Sequence, residues 1–135
     1  MPLNRRTERE IVFQMLFASQ FSPEEETPAL YETLIEEIGT EGAKESEYIK
    51  KVFCGARDYA DAAQEKISSN AKGWKIARLS KTTLSILQLA IFEMDQLEEV
   101  PERIAINEAV ELAKKFDEES SFKFINGILG ALAGK

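Results

Sequence analysis

Apolar residues in this chain recur three and four positions apart almost from end to end, and no stretch alternates apolar and polar at the period of a strand. Residues 5–20 carry Ile11, Val12, Met15 and Leu16 at that spacing and predict a first helix. The stretch FSPEEETP interrupts it, with Pro23 and Pro28 as breakers, and Pro28 suits the first position of a second helix ending near Gly39. Residues 45–68 predict one long third helix built on Ile49, Val52, Phe53, Ala56, Ala60, Ala63 and Ile67. SSNAKGW is a break, followed by a short turn at residues 75–79. Within residues 80–97, LSILQLAIF is apolar on most sides, which marks a helix at the centre of a core. Past Pro101 comes a helix over residues 105–116. A last helix, with Ser120 or Ser121 expected as its cap, packs Phe122, Ile125, Ile128, Leu129 and Leu132 on one face. The fold class expected is all-α: a compact single-domain bundle of six or seven helices, with an N-terminal half over residues 1–68 and a C-terminal half over 69–135.

Several functions are excluded by what is missing. The chain has no histidine, so no Cys–His or Ser–His nucleophile pair can form and no imidazole can bind zinc. There is no P-loop and no dinucleotide fingerprint. No cofactor, metal site or catalytic activity is therefore expected. The single cysteine, Cys54, allows no intrachain disulfide and sits in VFCGA, where it reads as a small buried hydrophobe. No apolar run approaches the ~20 residues that span a bilayer, and the first residues lack the apolar stretch of a signal peptide. A cytoplasmic location is expected.

Charge is distributed unevenly. The formal net charge is -7, yet residues 22–47 alone hold nine Glu and one Lys, so the remainder of the chain sums to +1. From residue 66 to 92 there are five basic residues, Lys66, Lys72, Lys75, Arg78 and Lys81, and no acid. An acidic chain overall therefore still leaves room for a nucleic-acid partner. The first helix opens with NRRTERE, which places Arg5, Arg6 and Arg9 where the helix dipole favours anions. At about 100° per residue the three arginines share one arc, flanked by Glu8 and Glu10. The same arc continues as Phe13, Leu16 and Gln20. A face that starts as arginine and becomes core suggests basic first turns projecting beyond the packed body. Such a cluster is either a solvated end or a phosphate-gripping patch, since guanidinium groups fork onto phosphate and stack on bases.

Four stretches in order, RRTEREIVFQMLF, GWKIARLSKTTLSILQLAIFEM, VPERIAINEAVELAKKF and SFKFINGIL, resemble the NusB family of bacterial transcription antitermination factors. Only residues 22–64 lack a recognisable motif. The resemblance implies an all-helical, non-catalytic protein that binds the boxA element of ribosomal RNA leader transcripts. It does so with a small-subunit ribosomal protein, NusE, on elongating RNA polymerase. The family's arginine motif falls on Arg5, Arg6 and Arg9, and Lys123 and Phe124 match positions that the family places beside RNA. Phe17 falls where the family turns an aromatic residue to the ribosomal protein, with Arg78, Lys81 and Thr83 nearby. Some members form homodimers that occlude the basic surface, so a homodimer is a further expectation.

The departures from the family pattern carry their own expectations. Thr7 stands at a position commonly basic in the family's arginine motif, with Glu8 beside it, and Leu84 and Gln88 stand where relatives carry charge. These changes imply weaker intrinsic RNA affinity and greater reliance on the protein partner. Read from the residues alone, Ala109, Val110 and Ala113 form a packing stripe, and Asn107 is a cap or bonds backbone. Phe124 is an edge core residue, Trp74 a core plug, and close helix approach explains Gly127 and Gly130. The Lys66–Lys81 run either extends an RNA path or meets a partner. Two other functions stay open: a helical protein–protein adaptor without RNA contact, and an RNA-binding domain related to one found in RNA cytosine methyltransferases. There it precedes a catalytic domain, whereas this chain ends at Lys135.

Overall fold

The computed structural model describes residues 3–71 and 78–134. Among these residues there are eight α-helices and no strand, so the all-α expectation holds. No helix among them is long and apolar enough to cross a membrane. The chain forms two units, residues 1–58 and 59–135.

The first unit contains α1 (Arg5–Ser19), α2 (Thr27–Ile38), α3 (Glu41–Lys44) and α4 (Glu47–Asp58). α1 begins because Asn4 accepts the Thr7 N–H at 2.8 Å, a neutral cap that satisfies one of the orphan amides of the first turn. α1 packs on α2 and α4, which also pack on each other. Val12, Met15 and Leu16 of α1, Leu30, Leu34 and Ile35 of α2, and Ile49, Val52 and Phe53 of α4 are all buried. Each large apolar side chain so buried contributes about 1.5–3 kcal/mol. α2 stops at Gly39, where a Cβ would lie 2.6 Å from the Ile35 carbonyl oxygen, so only glycine lets the chain turn this close to the helix end. At the far end of α4, Arg57 Nη1 donates to Thr27 Oγ1 at 2.9 Å and its Nη2 to the Ser22 carbonyl at 3.0 Å. The Thr27 hydroxyl in turn donates to Asp58 at 2.6 Å, which fixes the loop carrying PEEE.

The second unit contains α5 (Ala60–Asn70), α6 (Lys81–Gln96), α7 (Glu102–Phe116) and α8 (Glu119–Leu132). α6 packs on all three of the others, as its apolar circumference requires. Ile86, Leu87, Leu89, Ala90 and Ile91 are buried, and so are the polar Ser85, Gln88 and Glu93 on the same helix. No buried side-chain nitrogen or oxygen among the described residues lacks a hydrogen-bond partner.

Several expectations are corrected. The long third helix over residues 45–68 is two helices, broken at Tyr59, which raises the count from six or seven to eight with the one-turn α3. The break is tertiary in origin: the Tyr59 hydroxyl donates to Asp95 at 2.7 Å, and its ring lies edge-on to Phe92 at 6.1 Å. Neither Ser120 nor Ser121 caps α8; both fall inside its first turn, and Glu118 holds the cap position without a side-chain bond. Gly127 and Gly130 are exposed, and a Cβ on either would meet nothing within 4 Å, so close helix approach does not explain them. Asn107 is exposed in the middle of α7 and is no cap. Trp74 and most of the turn expected at residues 75–79 lie outside the described residues.

Candidate nucleic-acid interface

The arginine end of α1 is more tightly held than a solvated terminus. Arg5 stacks its guanidinium 4.1 Å above the centroid of the Tyr48 ring from α4, and Arg9 reaches the same ring at 6.0 Å. Arg5 Nε also pairs with Glu8 at 3.1 Å, one turn along the helix, while its side chain stays 52% exposed. Arg6 is exposed, but Arg9 is only 6% exposed. The expectation that all three project beyond the body therefore fails at Arg9. The arc that carries it continues as Phe13 and Leu16, both buried, and the switch from surface to core comes at the second turn rather than after it.

At the other end of α1, Phe17 is half-buried and meets Phe21 edge-to-face at 5.5 Å. Phe21 is 63% exposed, the largest apolar surface residue described. It leads directly into Glu24, Glu25 and Glu26, all exposed. Sequence reading passed over Phe21, although it lies four positions past Phe17, the spacing that brings two side chains together on a helical turn.

In the second unit, the start of α6 and the α7–α8 junction enclose an open groove of about 650 Å³. Arg78, Thr83 and Phe124 line it together with Phe116, Asp117 and Ser121. Phe124 is half-buried, between the core residue its spacing suggested and an open platform, and Lys123 and Lys81 are exposed. Thr83 is 4% exposed, so little of its surface is open to a partner. Its hydroxyl donates to Asp117 Oδ2 at 2.6 Å, and Ser80 caps α6 by accepting the Thr83 N–H at 3.0 Å. Asp117 Oδ1 accepts the Glu118 N–H at 2.8 Å. One carboxylate thus ties the start of α6 to the turn that delivers Lys123 and Phe124. Nothing in the spacing of residues 83 and 117 announces this pairing.

The basic run does not act as a whole. Lys66 pairs with Asp95, and that hydrogen bond holds its ammonium pKa above the ordinary value. The pKa of the Tyr59 hydroxyl, which shares Asp95, is raised first by burial and then by its own hydrogen bond to Asp95. Lys72 and Lys75 lie outside the described residues. Cys54 is half-buried, and its thiol pKa is raised by burial and then by Asp58, which favours the protonated thiol. No group of three or more acidic or cysteine side chains among the described residues could hold a metal ion. Gln88, one of the departures from the family pattern, is buried, so a charge there would not face solvent, while Leu84 is half-buried.

Among the described residues, eight helices, a ring-stacked arginine end and an aromatic-edged groove define an all-α protein. The NusB family profile matches residues 6–134. A Clostridium botulinum protein called transcription antitermination protein NusB is 41% identical, over 96% of this chain and 99% of its own length. Its namesake from Limosilactobacillus fermentum is 39% identical, over 99% of this chain and 96% of its own. The solved structure of T. maritima NusB superposes with a TM-score of 0.85 at 31% identity, covering 100% of this chain and 94% of that one. The chain belongs to the NusB family.

Proposed function

We propose that this chain is a transcription antitermination factor that binds boxA-type single-stranded RNA together with a small-subunit ribosomal protein, NusE, and joins elongating RNA polymerase. The reading rests on the family membership, with relatives named for transcription antitermination. The observation that carries the RNA half is Arg5, half exposed and held over the Tyr48 ring at the start of α1. A guanidinium held in place presents its donors to phosphate at a lower entropic penalty than a free one. In this account Arg5, Arg6 and Lys123 contact phosphates, Phe124 at the groove edge stacks a base, and Arg9 supplies charge from behind without touching RNA. Three phosphate contacts imply a slope of log K on log salt near about -2 for a single strand.

Partner binding falls to Phe17 with Phe21, and to Arg78 and Lys81, while Thr83 holds the groove in shape. Thr7 and Leu84 leave the RNA surface short of charge, so affinity for RNA alone is expected to be weak and to rise with the ribosomal protein present. Equal affinity with and without it would refute that dependence. The deciding experiment titrates a labelled boxA-type RNA and a scrambled control, with and without the ribosomal protein, against the wild type and Arg5→Ala/Arg6→Ala/Arg9→Ala. Binding should fall steeply while the circular dichroism stays helical; unchanged binding rejects the reading in favour of an adaptor that contacts only protein, for which Phe21 speaks.

A further inference from the structure

We propose that Glu8, an acid inside an arginine cluster, is a positioning residue for RNA binding, because it locks Arg5 in the orientation that phosphate requires. The inference rests on the RNA-binding reading above. By charge alone Glu8 should repel a polyanion, and its removal should help. The geometry points the other way. Glu8 is only 12% exposed, and its two carboxylate oxygens do separate work. Oε2 accepts the Ser46 hydroxyl, and Oε1 takes Arg5 Nε at 3.1 Å. Ser46 is itself anchored, since its oxygen accepts the Ile49 N–H at 3.0 Å in the first turn of α4. Tyr48, from the same turn, lies under the Arg5 guanidinium at 4.1 Å. α4 therefore constrains Arg5 twice, at its face through Tyr48 and at its Nε through Ser46 and Glu8. The edge left for a ligand is that of Nη1 and Nη2, the fork that grips phosphate with two parallel bonds. A carboxylate whose oxygens are both engaged also presents less negative charge to an approaching strand.

The test reads a reversal of sign between two backgrounds, with a boxA-type RNA as probe and circular dichroism as the check on folding. Glu8→Ala in the otherwise unaltered chain should weaken binding about threefold, although it deletes a negative charge. In an Arg5→Ala chain, where nothing is left to position, Glu8→Ala should instead strengthen binding about twofold. Ser46→Ala, which changes no charge, should weaken binding in the same direction as Glu8→Ala but by less. Glu8→Gln, which keeps one acceptor oxygen and loses the charge, should fall between wild type and Glu8→Ala. Strengthening in both backgrounds would show Glu8 to be merely repulsive, and equal weakening in both would show a general role in the fold; either overturns the proposal. Unchanged binding with Arg5→Ala alone overturns it too. The triple arginine replacement decides separately whether the RNA reading itself stands.

Discussion

Replacing Thr83 by valine removes the carboxylate tie at the groove together with the hydroxyl contact from Ser80. Valine keeps the volume of threonine in a site that is 4% exposed, so no cavity opens, and the change is confined to the hydroxyl. That hydroxyl donates to Asp117 at 2.6 Å, a short bond to a charged acceptor. Bonds of this kind contribute about 1.5–3 kcal/mol, but Asp117 is partly exposed and water can replace part of the loss. A destabilisation of about 1.5 kcal/mol is the expected result, or about 5 °C in Tm for a chain of this size. Urea unfolding followed by circular dichroism measures it, and the m-value should not change. Thr83→Val should also lower RNA affinity, because the turn before Phe124 loses its anchor, whereas Arg78→Ala should leave stability within about 0.5 kcal/mol. A Thr83→Val chain as stable as wild type, or an Asp117→Asn replacement whose effect simply adds to that of Thr83→Val, would refute the coupling.

Gly39→Ala should destabilise by more than about 1 kcal/mol in the same unfolding assay, because its Cβ would press on the Ile35 carbonyl oxygen at 2.6 Å. Gly127→Ala and Gly130→Ala should each stabilise α8 by up to about 1 kcal/mol, since the new methyl meets nothing within 4 Å; no gain in Tm would refute this. Tyr31, Cys54, Tyr59 and Lys66 all have pKa values raised above their ordinary 10.0, 9.0, 10.0 and 10.5. The folded state therefore binds these protons more tightly, and the stability they contribute is complete below about pH 8 and lost as pH climbs through the raised values. A thermal-melt series from pH 8 to alkaline pH should show Tm falling, and Asp95→Asn, which removes the negative charge shared by Tyr59 and Lys66, should flatten the fall.

Helix identity was legible because it is local. The apolar run of α6, the Pro28 start of α2 and the inward face of α8 at Ile125, Ile128 and Leu129 all follow from spacing alone. What escaped depends on partners far along the chain. The break at Tyr59 requires Asp95, and the α7–α8 turn requires Thr83 to reach Asp117, pairs that no window of helical periodicity contains. Gly127 and Gly130 show a different limit, since a helical glycine looks the same in sequence whether a neighbour crowds it or open solvent faces it. The candidate site was legible as a cluster of charged residues but not as an arrangement. Arg5, Arg6 and Arg9 were found together, yet which is stacked, which exposed and which buried depended on where α4 put Tyr48.

That arrangement also changes what the misplaced arginines mean. A cation at a helix N-terminus is unfavourable by about 0.3–1 kcal/mol. The Asn4 cap returns about 1 kcal/mol, the face of Tyr48 about 0.5–1 kcal/mol to Arg5, and the Glu8 pair up to about 1 kcal/mol more. The conflict with the dipole is thus offset inside the first unit, and no ligand is needed to make this helix end stable. The inverted polarity alone is consequently weak evidence for RNA. The stronger evidence is directional, because contacts made only for stability could have consumed the whole guanidinium, as burial does at Arg9. At Arg5 they take the face and Nε and leave a forked edge on a side chain that remains half exposed. Stability and recognition are separable on this argument, and Arg5→Ala should reduce the affinity for a single strand far more than it lowers the melting temperature.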